Sequence, residues 1–339
     1  MKLLPAAFVV AVTCAASVLV AAAESAAEPI VIKFSHVVAA DTPKGKAAIK
    51  FRDLAEAATG GRVKVEVYAN SALYKDKEEM EALQIGAVQM LAPSLSKFGP
   101  LGAREFEVFD LPYLFDSYAS LHKITYGSVG QWLFKKLEPK GLYGLAYWDN
   151  GFKVMSANRP LHLPADFKGL KMRIQSSKVS DAQMRALGAI PQVLAFSEVY
   201  QALQTGVVDG TENPPSNLYT QKMYEVQKHV TVSNHGYLGY AVIVNKKFWD
   251  GLPADIRAQL EQAMKAATEY GNAIAAKEND DALEAVRKSG KSEIYTLTPA
   301  ETTAWKKALI GVHRETQGRF GKDLLDMVYR EIGFDPAKL

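Results

Sequence analysis

Cysteine is nearly absent: Cys14 is the only one in 339 residues, so the rest of the chain can form neither a disulfide nor a cysteine metal site. Stability must come from packing. A surplus of charge of one sign is missing too, because 40 Lys+Arg face 37 Asp+Glu, a net of +3. The basic residues are scattered, and in the one dense cluster, Lys75 to Glu81, they alternate with acids as on a solvated helix face. That pattern excludes a polyanion or a membrane surface as partner. Beyond Val20 no apolar run nears the roughly 20 residues that span a bilayer. Catalytic signatures are missing as well: there is no GxSxG, HExxH, Walker loop or GxGxxG, and His36, His122, His162, His229, His235 and His313 lack metal-ligand spacing. Glu78 with Glu79 and Asp280 with Asp281 read as solvated pairs in helical contexts. No enzyme, metal or cofactor is expected. Neither a low-complexity linker nor an internal repeat is visible.

What is present begins with a leader. Met1 and Lys2 precede an apolar, small-residue run from Leu3 to Val20 and then Ala21-Ala22-Ala23, which reads as a secretory signal, residues 1–23, with cleavage as late as residue 27 the alternative. The mature protein is therefore expected outside the cytoplasm, with Cys14 removed. Roughly 315 residues would remain, more than one core usually holds, so two lobes are expected.

Ile30 to Phe34 and Val63 to Tyr68 read as strands, and Pro43 to Thr59 and Lys75 to Ile85 as helices. This alternation predicts an α/β fold with mixed, mainly parallel sheets. A turn at Trp148-Asp149-Asn150-Gly151 and a second crossing near Gly236 to Tyr240 suggest interleaved lobes, 28–150 with about 239–278, and 151–238 with about 279–339. After Pro253, Ala254 to Ser289 has no proline and keeps Ile256, Leu260, Met264, Ala267, Tyr270 and Ile274 near helical spacing until Gly290 ends it. At 1.5 Å per residue such a helix reaches about 50 Å and spans both lobes, unless Gly271 kinks it.

The stretch Leu170 to Pro215 carries the chemistry. Leu170, Met172 and Ile174 alternate with Lys171, Arg173 and Gln175, the period of a strand whose two faces differ, so Arg173 points away from the apolar layer. A helix at Ser180 to Leu187, a short strand at Gln192 to Ala195 and a helix from Ser197 to about Gly206 follow. Parallel strands joined by such crossovers place ligands at their carboxyl ends, where Arg173 sits. A solvated arginine paired with a surface acid is the ordinary alternative.

Six separated segments, IKFSHVVAADTPKGKAA, EALQIGAVQMLAPSLSKFGP, FEVFDLPYLF, LAYWDNGFKVMSANRPL, GLKMRIQ and ALQTGVVDGTENPPSN, together resemble the extracytoplasmic substrate-binding subunits of tripartite ATP-independent periplasmic (TRAP) transporters, in particular the DctP group that captures four-carbon dicarboxylates. The resemblance runs from about Val31 to the C-terminus. It implies a two-lobed periplasmic binding protein whose long helix is a scaffold across the hinge, and a membrane permease as partner. It also implies that Arg173 makes the main salt bridge to a ligand carboxylate and that Asn213 supports the same group. Lys153 stands where sialic-acid-binding relatives carry arginine, Phe196 where an aromatic packs on the ligand, and His36 at the polar end of the first strand.

The chemistry agrees with that role, since guanidinium is planar, permanently charged and able to hold a carboxylate by two parallel hydrogen bonds. A dicarboxylate has a second charge, and burying it unpaired costs several kcal/mol as an order of magnitude. Lys44 and Lys153 are the candidate cations for it, with Ser94, Asn150 and Tyr237 as neutral donors. Each has an ordinary alternative: a solvated lysine, a loop hydroxyl, a turn asparagine, a core tyrosine. Another organic acid as ligand, or presentation of the ligand to a signalling receptor, are the rival functions.

Overall fold

The computed structural model describes residues 28–76 and 78–338, so the expected leader and Cys14 lie outside the described residues. Two mixed sheets organise the chain. The first has the order β2-β1-β3-β10-β4, made of β1 (Ile30–Ser35), β2 (Val63–Tyr68), β3 (Met90–Leu91), β4 (Leu142–Phe152) and β10 (Tyr237–Asn245). The second runs β11-β9-β5-β8-β6-β7, from β5 (Val154–Ala157), β6 (Lys171–Ile174), β7 (Ile190–Val193), β8 (Gly210–Asn213), β9 (His229–Val232) and β11 (Glu293–Thr296). Pairing is parallel around β1 and β6 and antiparallel where β10 and β5 join, five parallel pairs against four antiparallel. The α/β expectation holds, with parallel pairing only narrowly ahead.

An internal repeat, not visible in the sequence reading, is plain in this topology. β2-β1-β3 and β7-β6-β8 have the same order and direction, and ALQIGAV (82–88) and ALQTGVV (202–208) form the same helix-to-strand turn. In both, glycine takes the left-handed conformation, with φ 78° at Gly86 and 73° at Gly206, and donates to the leucine three residues back. The next polar side chain then clasps the central strand: Gln89 accepts from the Lys33 N–H at 3.0 Å, and Asp209 from the Lys171 N–H at 2.8 Å. Five identities in a short segment are too few to stand out against composition, which is why the repeat needs the fold to be seen.

The chain passes from the first sheet to the second between Phe152 and Val154 and returns between Val232 and Tyr237. Trp148-Asp149-Asn150-Gly151 is not the expected turn but the interior of β4. Opposite it, Leu238 pairs with Gly151 and Gly239 with Asp149, leaving Asn150 as an extra residue in a β-bulge. β7 runs Ile190–Val193 rather than Gln192 to Ala195, with Pro191 inside it, because an edge strand paired only with β6 tolerates a missing N–H. The expected helix at Lys75 to Ile85 is confined to Glu79–Gln84.

One helix runs unbroken over Ala254–Ser289 and stops at Gly290. Its Ile256, Leu260 and Met264 share a core with Phe51 and Trp148 of the first lobe, whereas Val286 packs with Leu218 and Val230 of the second. Gly271 does not kink it. A Cβ there would lie 2.8 Å from the Ala47 Cβ, so this glycine lets the helix approach its neighbour, Pro43–Ala58, closely. The helix thus anchors both lobes and leaves the carboxyl ends of β1 and β6 facing each other.

Candidate functional site

Arg173 alternates with Met172 and Ile174, which lie in the core, so its side chain takes the opposite face of β6. That face is not solvated. The first lobe covers it, and Arg173 is only 2% exposed. Its Nε and Nη2 donate to the Leu194 carbonyl at 3.1 and 2.9 Å, and its guanidinium carbon lies 5.8 Å from the centre of the Phe196 ring. Among the described residues no carboxylate pairs with it within 4 Å. Burial holds its pKa below the usual arginine value, an effect partly offset by Asp76, Glu212 and Glu198.

Lys44 enters from the first lobe. Thr42 caps the helix Pro43–Ala58 by accepting from the Gly45 N–H at 3.1 Å, which fixes Lys44 in the first turn and aims it at the cleft. Its Nζ donates to the Ala92 carbonyl at 2.9 Å and sits 3.8 Å from the centre of the Tyr240 ring, and the residue is 1% exposed. No described carboxylate pairs with it. Burial, then the neighbouring charge of Lys97, lowers its pKa to about 7, with Glu79 and Asp76 opposing.

Two other buried lysines are compensated. Lys97 pairs with Asp76 and, at 2.8 Å, with Glu79. Lys153 lies where the chain crosses between sheets and pairs with Glu212 at 2.7 Å; His235 contacts the other Glu212 oxygen at 2.9 Å and Ser233 at 2.7 Å. Burial alone would raise the Glu212 pKa, but Lys153 and His235 more than offset it and hold the carboxyl at about 2.

A chain of amides joins the lobes. Asn150, aimed inward by the bulge, donates to the Tyr240 hydroxyl at 2.7 Å and to the Asn217 oxygen at 3.1 Å, and accepts from Ser216 at 2.8 Å. Asn217 donates in turn to Asn213 at 3.5 Å, and Asn213 to Thr211 at 3.4 Å. Gln175 reaches across to the Ser94 oxygen at 2.7 Å, and the Phe196 N–H donates to Asp76. His36, at the end of β1, is fully buried with both ring nitrogens unpartnered among the described residues. Burial and the charge of Lys44 push its pKa down to about 3, so the ring is neutral.

Of the nine residues expected at the site, Arg173, Phe196, Asn213, Asn150, Ser94, Lys44 and His36 line this junction of the lobes, and Lys153 adjoins it through Glu212. Tyr237 is not brought there. On β10 it shares a face with Ala241 and Ile243, its ring packs on Phe115, Tyr118 and Phe152, and its hydroxyl donates to Asp149 at 2.6 Å. Tyr240, on the other face, takes the place. Sequence reasoning missed Tyr240, Asp76, Lys97 and Glu79; Gln175 was within reach, since it shares the face of Arg173 by period two.

Beside Arg173 the cleft narrows to a cavity of about 20 Å³ between Asp76, Lys97, Gln175 and Leu194, room for about one water. The lobes stand shut. A larger groove of about 690 Å³ lies elsewhere, lined by Tyr126, Phe134, Leu145 and Met264, and neither Arg173 nor Lys44 lines it.

Residues 34–319 match the bacterial extracellular solute-binding protein family 7, DctP. The chain belongs to this family. It is a solute-binding protein and not an enzyme, and its resemblance to TRAP substrate-binding subunits is borne out. The family's C4-dicarboxylate-binding periplasmic protein DctP of Rhodobacter capsulatus is 68% identical over 302 residues, covering 89% of this chain and 91% of that protein. A TRAP periplasmic solute-binding protein of Shewanella oneidensis, solved with bound succinate, superposes with a TM-score of 0.87 at 43% identity over 90% of this chain and 99% of the other. Another family member, from Pseudomonas aeruginosa and with bound L-malate, gives 0.83 at 45% identity, covering 85% and 100%. The two-lobed α/β architecture is therefore the family's own.

Proposed function

We propose that this protein captures a four-carbon dicarboxylate such as succinate, fumarate or malate in the periplasm and hands it to the membrane permease of a TRAP transporter. One observation carries the reading: Arg173 and Lys44 are buried cations, one from each lobe, and neither pairs with a described carboxylate. Buried charge is costly unless compensated, so a ligand bearing two carboxylates is the natural partner of both. The relatives bound to succinate and L-malate support the same ligand class.

In this reading Arg173 holds one carboxylate with its fork, Asn213 supports that carboxylate, and Phe196 walls the pocket. Lys44 takes the distal carboxylate; Lys153, already neutralised by Glu212, does not. Ser94, Asn150 and His36 complete the donor set. The lobes, 28–150 with about 239–278 and 151–238 with about 279–339, open for entry and close on the ligand. Closure is driven by the ligand's differential affinity for the closed form, where both cations reach it. Export by the leader puts the protein in the periplasm. No helix among the described residues is long and apolar enough to cross a membrane, so the permease is a separate partner.

The test is thermal unfolding of ligand-stripped protein against succinate, fumarate, both malates, matched monocarboxylates and a sialic acid, since a ligand that binds only the folded state raises its stability. Stabilisation confined to four-carbon diacids is expected, and Arg173→Ala should weaken their binding by about a hundredfold or more while leaving the fold intact. Tight binding retained by Arg173→Ala would sink the assignment.

A further inference from the structure

Lys44 differs from the other buried lysines in what holds it. Lys97 and Lys153 are neutralised by carboxylates, whereas Lys44 rests on the face of Tyr240 at 3.8 Å and on one carbonyl, that of Ala92, at 2.9 Å. An aromatic face attracts a cation through its quadrupole without cancelling the charge. The ammonium is thus held in place and still available to an anion.

Tyr240 is itself fixed at three points. Its hydroxyl takes the Asn150 amide at 2.7 Å, and Asn150 is oriented by Ser216 and by the bulge in β4. Its backbone bridges to Ser94, and the next residue, Ala241, donates to the Pro93 carbonyl at 3.1 Å. The Ala92–Ser94 segment that supplies the carbonyl to Lys44 is therefore the one that clamps the tyrosine. Ring and carbonyl are coupled through the Ala92–Ser94 segment.

We infer that Tyr240 is a positioning residue for ligand length: by holding the Lys44 ammonium on its ring face it sets how far the second carboxylate lies from Arg173, and so selects four-carbon diacids over shorter or longer acids. The inference rests on the proposed capture of a dicarboxylate. Without the ring the lysine stem is free to take other rotamers, and the distance that distinguishes succinate from glutarate is no longer defined.

The experiment is calorimetric titration of the ligand-stripped full chain and its variants with succinate, glutarate and succinamate, in which a neutral amide replaces the distal carboxylate. Tyr240→Leu should weaken succinate about tenfold, leave succinamate within about threefold, and narrow the succinate-to-glutarate preference. Tyr240→Phe should lie between, since the ring stays and only the Asn150 bond is lost. A fluorinated phenylalanine at position 240 keeps the shape of phenylalanine but removes the negative ring face, so it should lower succinate affinity below that of Tyr240→Phe even if Tyr240→Leu fails to fold. Equal losses for succinate and succinamate, or no loss with the fluorinated ring relative to Tyr240→Phe, overturn the role of Tyr240. A wild-type protein that ignores succinate and glutarate overturns the dicarboxylate reading itself.

Discussion

The helix start at Lys44 and the strand crossing at Lys153 each bury a lysine to the same degree, yet they solve the burial in opposite ways. At the crossing, the Glu212 carboxylate pairs with the ammonium and is itself held by His235, so the charge is spent inside the protein. At the helix start a ring and a carbonyl leave it uncompensated, at the positive end of a helix where the backbone also disfavours it. The first arrangement stabilises a junction between lobes. The second keeps an electrostatic deficit that, in the proposed reading, an incoming anion removes. Burial of a cation therefore says little about its role until its partners are known.

Removing each lysine should separate the two. Lys153→Met strands the Glu212 carboxylate in the interior, and about 3–5 kcal/mol of folding stability should be lost in urea titrations. A loss below about 1 kcal/mol would mean the crossing is not held by this pair. Lys44→Met should do the reverse, leaving stability unchanged or slightly higher because an uncompensated charge is gone, while succinate binding falls by about thirtyfold. If Lys44→Met unfolds the protein, the lysine is structural and the contrast collapses.

pH should sharpen the same contrast with a smaller effect. The Lys44 pKa is lowered to about 7 in the unliganded protein, and a dianion beside it raises it, so binding takes up a proton. Affinity for succinate should then be flat from about pH 6 to pH 7, where the ligand is still a dianion, and fall by up to about tenfold per unit above it. Stability of the unliganded protein should rise over the same range, because the unfolded lysine, titrating near 10.5, binds more protons than the folded one. Glu212 works on the acid side. Its carboxyl is held at about 2, so its contribution is present above the ordinary carboxylate range and is lost as pH falls from there through that value. An affinity that stays flat from pH 6 to pH 9 would refute the proton uptake.

Much of the architecture was legible in one dimension. Proline at 253, helical spacing through Ile274 and Gly290 define the long helix to the residue, since its ends are encoded by local backbone preferences. Period two separated Arg173 from Met172 and Ile174. Tyr237, expected as a neutral donor with a core tyrosine as the alternative, lies in the core: alternation gives a tyrosine a face but not which face meets the cleft, and the pairing of β10 with β3 and β4 decides that. Asn150 read as a turn because Asp-Asn-Gly is turn chemistry, and only the unequal count of residues across the β4–β10 ladder converts it to a bulge.

By itself the sequence determined the α/β alternation, the family and the arginine that faces away from the apolar layer, all of which rest on local periodicity or contiguous motifs. Tertiary structure alone decided which buried lysine is free. Lys44 and Tyr240 are 196 residues apart (240 minus 44), and Lys153 and Glu212 are 59 apart, so no local pattern announces either partnership. A charge's availability depends on what lies within about 4 Å of it, and folding sets that distance.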